Sequence, residues 1–199
     1  MPSVSARTAT VSRTTRETDV TLQLNLDGTG TTEVQTGIGF LDHLLTALAL
    51  HARFDLHLTC RGDLEVDDHH TAEDCALALG SAIDRALGDR TGIARFGSAY
   101  APLDEALARA VIDCSGRPFA RVALGLQRER IGALSCENIG HVMASLATAA
   151  RLTAHVDVLH GDNDHHRAEA AFKALALALR AAVARDGSVG VPSTKGVLT

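Results

Sequence analysis

The sequence has no tryptophan, one tyrosine and five phenylalanines, so aromatic rings make up 3% of its 199 residues. A chain this poor in aromatics offers no stacking platform for single-stranded nucleic acid. Positive charge is not in excess either. Its 19 Lys and Arg stand against 24 Asp and Glu, giving a net charge of −5, the wrong sign for a surface that reads a phosphate backbone. No run of about eighteen uncharged apolar residues occurs, which excludes a helical membrane span. The opening residues Met1 to Arg7 lack the apolar centre of a secretory signal, and a cytoplasmic location is expected. Cys60, Cys75, Cys114 and Cys136 stand far apart with no C-x-x-C pair, so they read as buried thiols rather than a disulfide framework or a zinc ribbon. What remains is 46% apolar and 22% charged residues, the balance of a folded globular chain whose core is mostly Ala, Leu and Val.

Histidine is abundant, with ten in the chain, and the histidines reveal an internal repeat. His43 and the Leu44–Ala49 segment after it match His141 and Val142–Ala147. Fourteen residues on, His57 matches His155, each inside an alternating segment. Gly62 and Gly161 follow. Then Asp68-His69-His70-Thr71-Ala72-Glu73 matches Asp164-His165-His166-Arg167-Ala168-Glu169. The chain reads as two copies of one module, residues 1–95 and 96–199, expected to share one core and one active site.

Each module repeats the same elements. In the first, Val20, Leu22, Leu24 and Leu26 alternate as a strand, and Asp27-Gly28-Thr29-Gly30 turns the chain into a second strand over 32–36. A helix over 38–51, a strand over 53–61 and a helix over 69–87 follow, with Asp68 as expected N-cap and Gly88 as stop. In the second, strands over 108–114 and 119–124 flank Ser115-Gly116-Arg117-Pro118. A helix over 137–151, a strand over 153–160 and a helix over 165–185 come next. The expected class is α/β, in α+β layers: an internally duplicated module, each copy with an antiparallel-rich sheet and two helices, the helices packed between the sheets.

The duplicated His-His-x-x-Glu units carry the chemistry. Adjacent helical residues point about 100° apart, so His69 and His70 cannot readily serve one ion, whereas Glu73 lies one turn further on their shared face. The same holds for His165, His166 and Glu169. Two metals, with each unit reaching both, satisfy this geometry. Adding His43 and His141 and dividing by the repeat gives each metal three His and one Glu. Such a donor set suits Mn, Fe, Co, Ni or Zn and leaves open positions on an octahedral ion. Asp42, Asp68 and Asp164, each beside a histidine, read as acceptors behind the ligands or as caps. A single His-His pair at a helix start reads as a solvated polar end; its duplication with matching Glu and upstream His does not. His57 and His155 read as structural, while His51 ends the helix that His43 begins.

Basic residues form a second set. Arg117 lies in the Ser-Gly-Arg-Pro turn, and Lys173 lies one turn beyond Glu169. Ser193-Thr194-Lys195-Gly196 combines hydroxyls, backbone N–H groups and an ammonium, which together suit phosphate.

Four segments make the pattern specific. They are Thr36-Gly37-Ile38-Gly39-Phe40-Leu41-Asp42-His43, the run from Gly62 to Asp74, the run from Asn163 to Ala174, and Pro192-Ser193-Thr194-Lys195-Gly196. Over nearly the whole chain, from Arg16 onward, the sequence resembles the imidazole-glycerol-phosphate dehydratases of histidine biosynthesis. The resemblance implies conversion of imidazole glycerol phosphate to imidazole acetol phosphate, with the substrate's ring held as imidazolate by two Mn2+ per active site. It implies as metal ligands His43, His69, His70, Glu73, His141, His165, His166 and Glu169. Of these, His43, His69, Glu73 and His165 would also meet substrate, together with Glu17, His51, Arg95, Arg117, Lys173, Ser193 and Lys195. The last five would grip the phosphate, and Glu17 and His51 would be catalytic, Glu17 as base. The partners implied are a small phosphate substrate and further copies of the chain, in a 24-subunit cage built from trimers with sites between subunits. Val142-Met143 stands where the family often has aromatics, and looser packing beside His141 is expected. Two other readings compete. A manganese phosphoesterase of the Asp-His-His type leaves the paired Glu unexplained, and a non-catalytic metal-binding cage leaves the basic residues without a purpose.

Overall fold

The computed structural model describes residues 6–187, 190–196 and 198; Met1 to Ser5, part of the stretch read for a signal, lie outside them. Alternation decides the strands. β1 (Thr8–Thr14) is followed by β2 (Thr18–Asn25), where Thr18, Val20, Leu22 and Leu24 are buried and the residues between them are exposed. β3 (Thr32–Gln35), α1 (Gly39–Ala52), β4 (Asp55–Gly62) and α2 (His69–Leu87) complete the first half. The second half runs β5 (Phe96–Leu103), β6 (Ala106–Asp113), β7 (Phe119–Ala123), a short hairpin of β8 (Arg130–Ile131) and β9 (Leu134–Ser135), α3 (Cys136–Ala149), β10 (Thr153–His160) and α4 (Asp164–Val183).

The two larger sheets have the same order, β1-β2-β4-β3 and β5-β6-β10-β7. In each, two antiparallel pairs are joined by one parallel pair, β3 with β4 and β7 with β10. α2 packs on β1 and β2, α4 packs on β5 and β6, and the helices meet as α1 with α4 and α2 with α3, so the helical layer lies between the sheets. One apolar cluster runs from Val11 to Val183 through both halves. Small residues let the helices approach closely. A Cβ on Gly80 of α2 would lie 2.5 Å from the Leu146 carbonyl oxygen of α3, and α4 buries Ala168, Ala170, Ala171, Ala174, Ala176, Ala178 and Ala182. Among the described residues, no helix is long and apolar enough to cross a membrane.

Several expectations are corrected. Asp27-Gly28-Thr29-Gly30 does not pair β2 with β3; β4 lies between them. The loop instead folds over Asp55, whose carboxylate accepts N–H bonds from Thr29, Gly30 and Thr31 at 2.8–3.2 Å. A Cβ on Gly28 would collide with Asp55 at 2.4 Å. β3 then crosses through α1 to its parallel neighbour β4, as a parallel pair requires. Likewise β6 and β7 are separated by β10. Asp68 precedes α2 but makes no side-chain cap; the Asp67 carboxylate accepts the His69 N–H at 2.8 Å instead. α4 ends at Val183, two residues early, because Arg185 forms a strand bridge with Ile93.

Candidate metal centres

Among the described residues, two clusters of groups able to bind a metal form. His69 and Glu73 lie one turn apart at the start of α2, and α3 brings His141 against them. His165 and Glu169 lie the same way on α4, and α1 brings His43. In each trio the nitrogen and oxygen atoms offered lie within 4.8 Å of one another. His141 Nε2 is 3.0 Å from Glu73 Oε1, and His43 Nε2 and His165 Nε2 are 2.9 and 3.2 Å from Glu169 Oε2. The His69 and His141 rings stack at 5.0 Å.

The expectation of three His and one Glu per metal is met only in part inside one chain. His70 and His166 turn away from the trios, their rings roughly edge-on to His69 and His165. His70 Nδ1 is 3.0 Å from Asp63, with Glu17 3.7 Å from its Nε2. His166 Nδ1 is 2.7 Å from Glu105, with Asp104 3.8 Å from its Nε2. The hydrogen bond with Asp63, aided by Glu17, raises the His70 pKa, and Glu105 does the same for His166. In return His166 and the Asn163 N–H hold the Glu105 carboxyl down to about 2. A cleft of 560 Å³ beside His166 is lined by Glu105, Gln127, Arg128 and Asp162 to Asp164.

Outside the trios, the expected substrate-contact residues divide among three places, Glu17 standing beside His70. Lys173 sits beside the second trio, its Nζ 2.7 Å from Glu169. Burial pushes the Glu169 carboxyl up, but Lys173 and His43 outweigh it and hold the group down to about 2. His51, at the end of α1, is kept below the usual imidazole range by burial and by the Lys173 charge. Arg95, Arg117 and the 192–195 loop cluster elsewhere. Arg95 donates to both Asp113 oxygens at 2.8 and 3.1 Å and to the Pro192 carbonyl at 2.7 Å, while Arg117 lies 4.0 Å from Asp113. The Lys195 N–H donates to Ser193 Oγ at 3.1 Å. The Arg95 backbone N–H bonds the Ala182 carbonyl near the far end of α4. At the helical rise, Ala182 is about 20 Å along the axis from Glu169.

Comparison with known proteins decides the family. The family described as "Imidazoleglycerol-phosphate dehydratase" matches residues 36–179. A protein of that name from Phytophthora nicotianae is 63% identical over 96% of this chain, which spans 42% of that longer protein. One from Pyricularia oryzae is 55% identical, with 98% of this chain and 99% of that protein aligned. Crystal structures of the enzyme from Pyrococcus furiosus and Staphylococcus aureus superpose with TM-scores of 0.81 each. They are 37% and 33% identical and cover 94% and 89% of this chain and 100% and 99% of theirs. The chain belongs to the imidazoleglycerol-phosphate dehydratase family. It is an enzyme, a hydro-lyase of histidine biosynthesis acting on a small molecule, and the phosphoesterase and non-catalytic cage readings give way to this one.

For an imidazoleglycerol-phosphate dehydratase the sequence reading missed the groups behind the ligands. Asp42 and Asp164, read as acceptors behind the ligands or as caps, accept backbone N–H groups from Thr36 and from Gln127 and Arg128. Asp68 accepts from Ser135 N and Oγ at 2.6 and 2.8 Å and from Asn138 Nδ2 at 3.0 Å. Burial opposes its charge, yet these donors hold its pKa low. The groups that touch the candidate ligand histidines include Asp63, Glu105, Ser145, whose Oγ is 3.4 Å from His141 Nε2, and Asn138, whose Oδ1 is 3.0 Å from His69 Nδ1. Asn138 left a signal, lying one turn before His141. The looser packing expected at Val142-Met143 is absent: both are buried, and His141 beside them keeps its stack on His69.

Proposed function

We propose that the chain dehydrates imidazole glycerol phosphate to imidazole acetol phosphate, using two Mn2+ per active site bound between copies of the chain. The observation that carries this reading is the repeat of the two-His, one-Glu trio, together with His70 and His166, which face away from it. The donors fit the metal: imidazole nitrogens and carboxylate oxygens with no thiolate, on an ion that prefers six ligands. For His70 and His166, a carboxylate takes the Nδ1 side and leaves Nε2 as the ligand atom. His43, His69, Glu73, His141, His165 and Glu169 would hold the ions with His70 and His166 from other copies. Bound metal would supply the positive charge that keeps the substrate's ring deprotonated.

The chain's own residues do the rest. Arg95, Arg117, Lys173, Ser193 and Lys195 bind the phosphate, while His43, His69, Glu73 and His165 also face the ring. The carbon beside the ring loses hydroxide, Glu17 takes the proton from the next carbon, that proton and the hydroxide together make the water released, and the enol becomes the ketone. His51, whose charged form burial and Lys173 disfavour, orients the substrate hydroxyls. Lys173 stands beside the second trio, but Arg95, Arg117, Ser193 and Lys195 lie too far from both trios on one chain to meet the same small substrate, so copies must bring them together. Phe96, Tyr100, Val111 and Phe119 are exposed on β5, β6 and β7, an apolar surface suited to burial between copies. We further propose that residues 1–95 and 96–199 act as two modules of one unit, that the assembly is a 24-subunit cage of trimers, and that it is cytoplasmic. Incubating Mn2+-loaded protein with imidazole glycerol phosphate should give ketone, and a chelated sample should not; equal product with and without chelator contradicts the metal, and no product from a metal-filled assembly contradicts the activity.

A further inference from the structure

The two trios are related by the repeat but are not supported alike. Position 138 of α3 corresponds to position 40 of α1, because each lies one turn before its His. In α3 it is Asn138, 3% exposed, which touches both Asp68 and His69. In α1 it is Phe40, whose ring lies 4.9 Å from His165 and offers no hydrogen-bond acceptor to its Nδ1.

The contacts of Asn138 fix its direction. Asp68 is 6% exposed and faces three hydrogen-bond partners, the Ser135 N–H, the Ser135 hydroxyl and the Asn138 amide. A carboxylate oxygen already receiving the Ser135 N–H at 2.6 Å accepts from the Asn138 NH2 and repels its oxygen. The amide therefore turns its Oδ1 towards His69 Nδ1, 3.0 Å away. An acceptor there requires the proton on Nδ1 and leaves Nε2 with its lone pair free. We propose that Asp68 and Asn138 are positioning residues, a buried relay that fixes the tautomer and ring direction of His69 and makes the His69, Glu73 and His141 trio the tighter of two unequal metal sites. The second trio lacks the relay and has Lys173 on its carboxylate at 2.7 Å, which competes with a cation for Glu169.

The inference rests on the metal reading above, and one titration separates the two. Mn2+ is titrated into the assembled, metal-stripped protein while free Mn2+ is read by its electron paramagnetic resonance. Wild type is expected to show a tight and a weaker class of site. Asn138→Leu, which keeps the volume but removes the acceptor, should weaken the tight class about ten- to a hundredfold and leave the other unchanged. Asn138→Asp sets a second carboxylate against Asp68 in place of the amide donor, and should weaken the same class. Melting temperature and sedimentation establish that each variant is folded and assembled, and Asn138→Ala replaces the leucine if bulk disturbs packing. Unchanged binding in both folded apolar variants would overturn the relay, as would equal weakening of both classes by Asn138→Asp and Asn138→Leu. Wild type that binds no Mn2+ would instead sink the metal reading itself.

Discussion

Glu169 shows how much a single carboxylate carries. Before metal arrives it faces His43, His165 and Lys173 together, and its carboxyl is held down to about 2 from an ordinary 4.5. A carboxyl lowered in the folded state contributes stability above its ordinary value, and the contribution is lost as pH falls to the folded value. The metal-free chain should therefore lose stability between about pH 4.5 and 2, and Lys173→Met should lose it at higher pH. Acid titration followed by circular dichroism checks both; coincident curves would contradict the role of Lys173. Protons also compete with metal for the imidazoles, so Mn2+ affinity should fall as pH drops below neutrality. At this scale the sequence was legible where the repeat doubled a motif: six of the eight expected ligands gather in the two trios, while His70 and His166 face Asp63 and Glu105 instead. Asp63 and Glu105 were not legible, and Asn138 only through its spacing from His141: the contacts of Glu105 and Asn138 join residues 61 and 69 positions apart, and Asp63, though it follows Gly62 as Asp162 follows Gly161, lies in a loop where spacing sets no contact.

Among the elements, legibility followed apolar alternation. β2 and β4 were readable because leucine and valine recur at nearly every second position, and β6 and β10 because Ala106, Ala108, Ala110 and Ile112, and Ala154 and Val156, alternate with more polar or exposed residues. β1 buries only Val11. β5 turns small Gly97 and Ala101 inward and exposes Phe96 and Tyr100, so its pattern is inverted. Pairing was less legible than existence, since a glycine-rich loop suits a hairpin as well as a cap over Asp55. Asp55→Ala should remove three loop N–H bonds and cost about 1–3 kcal/mol in urea unfolding; an unchanged midpoint would mean that the loop holds itself. Gly80→Val should cost about 2 kcal/mol or more by forcing α2 from α3, and a loss near zero would show that the helices can part freely.

For the whole molecule, the sandwich of two like-ordered sheets followed from the repeat, but the separation of Arg95, Arg117 and the 192–195 loop from the trios did not, because sequence order does not say which end of α4 those segments pack against. That separation makes the active site a property of the assembly. Isolated monomers should be inactive although folded, and sedimentation with assay on the same fractions checks this. The central claim is that groups kept apart within one chain meet between chains, and complementation tests it most directly. His69→Ala and Arg95→Ala each disable one half of the site. The account predicts that each assembly alone makes almost no ketone and that the two, dissociated and reassembled together, make clearly more than either parent. A co-assembled mixture no more active than its parents would contradict it.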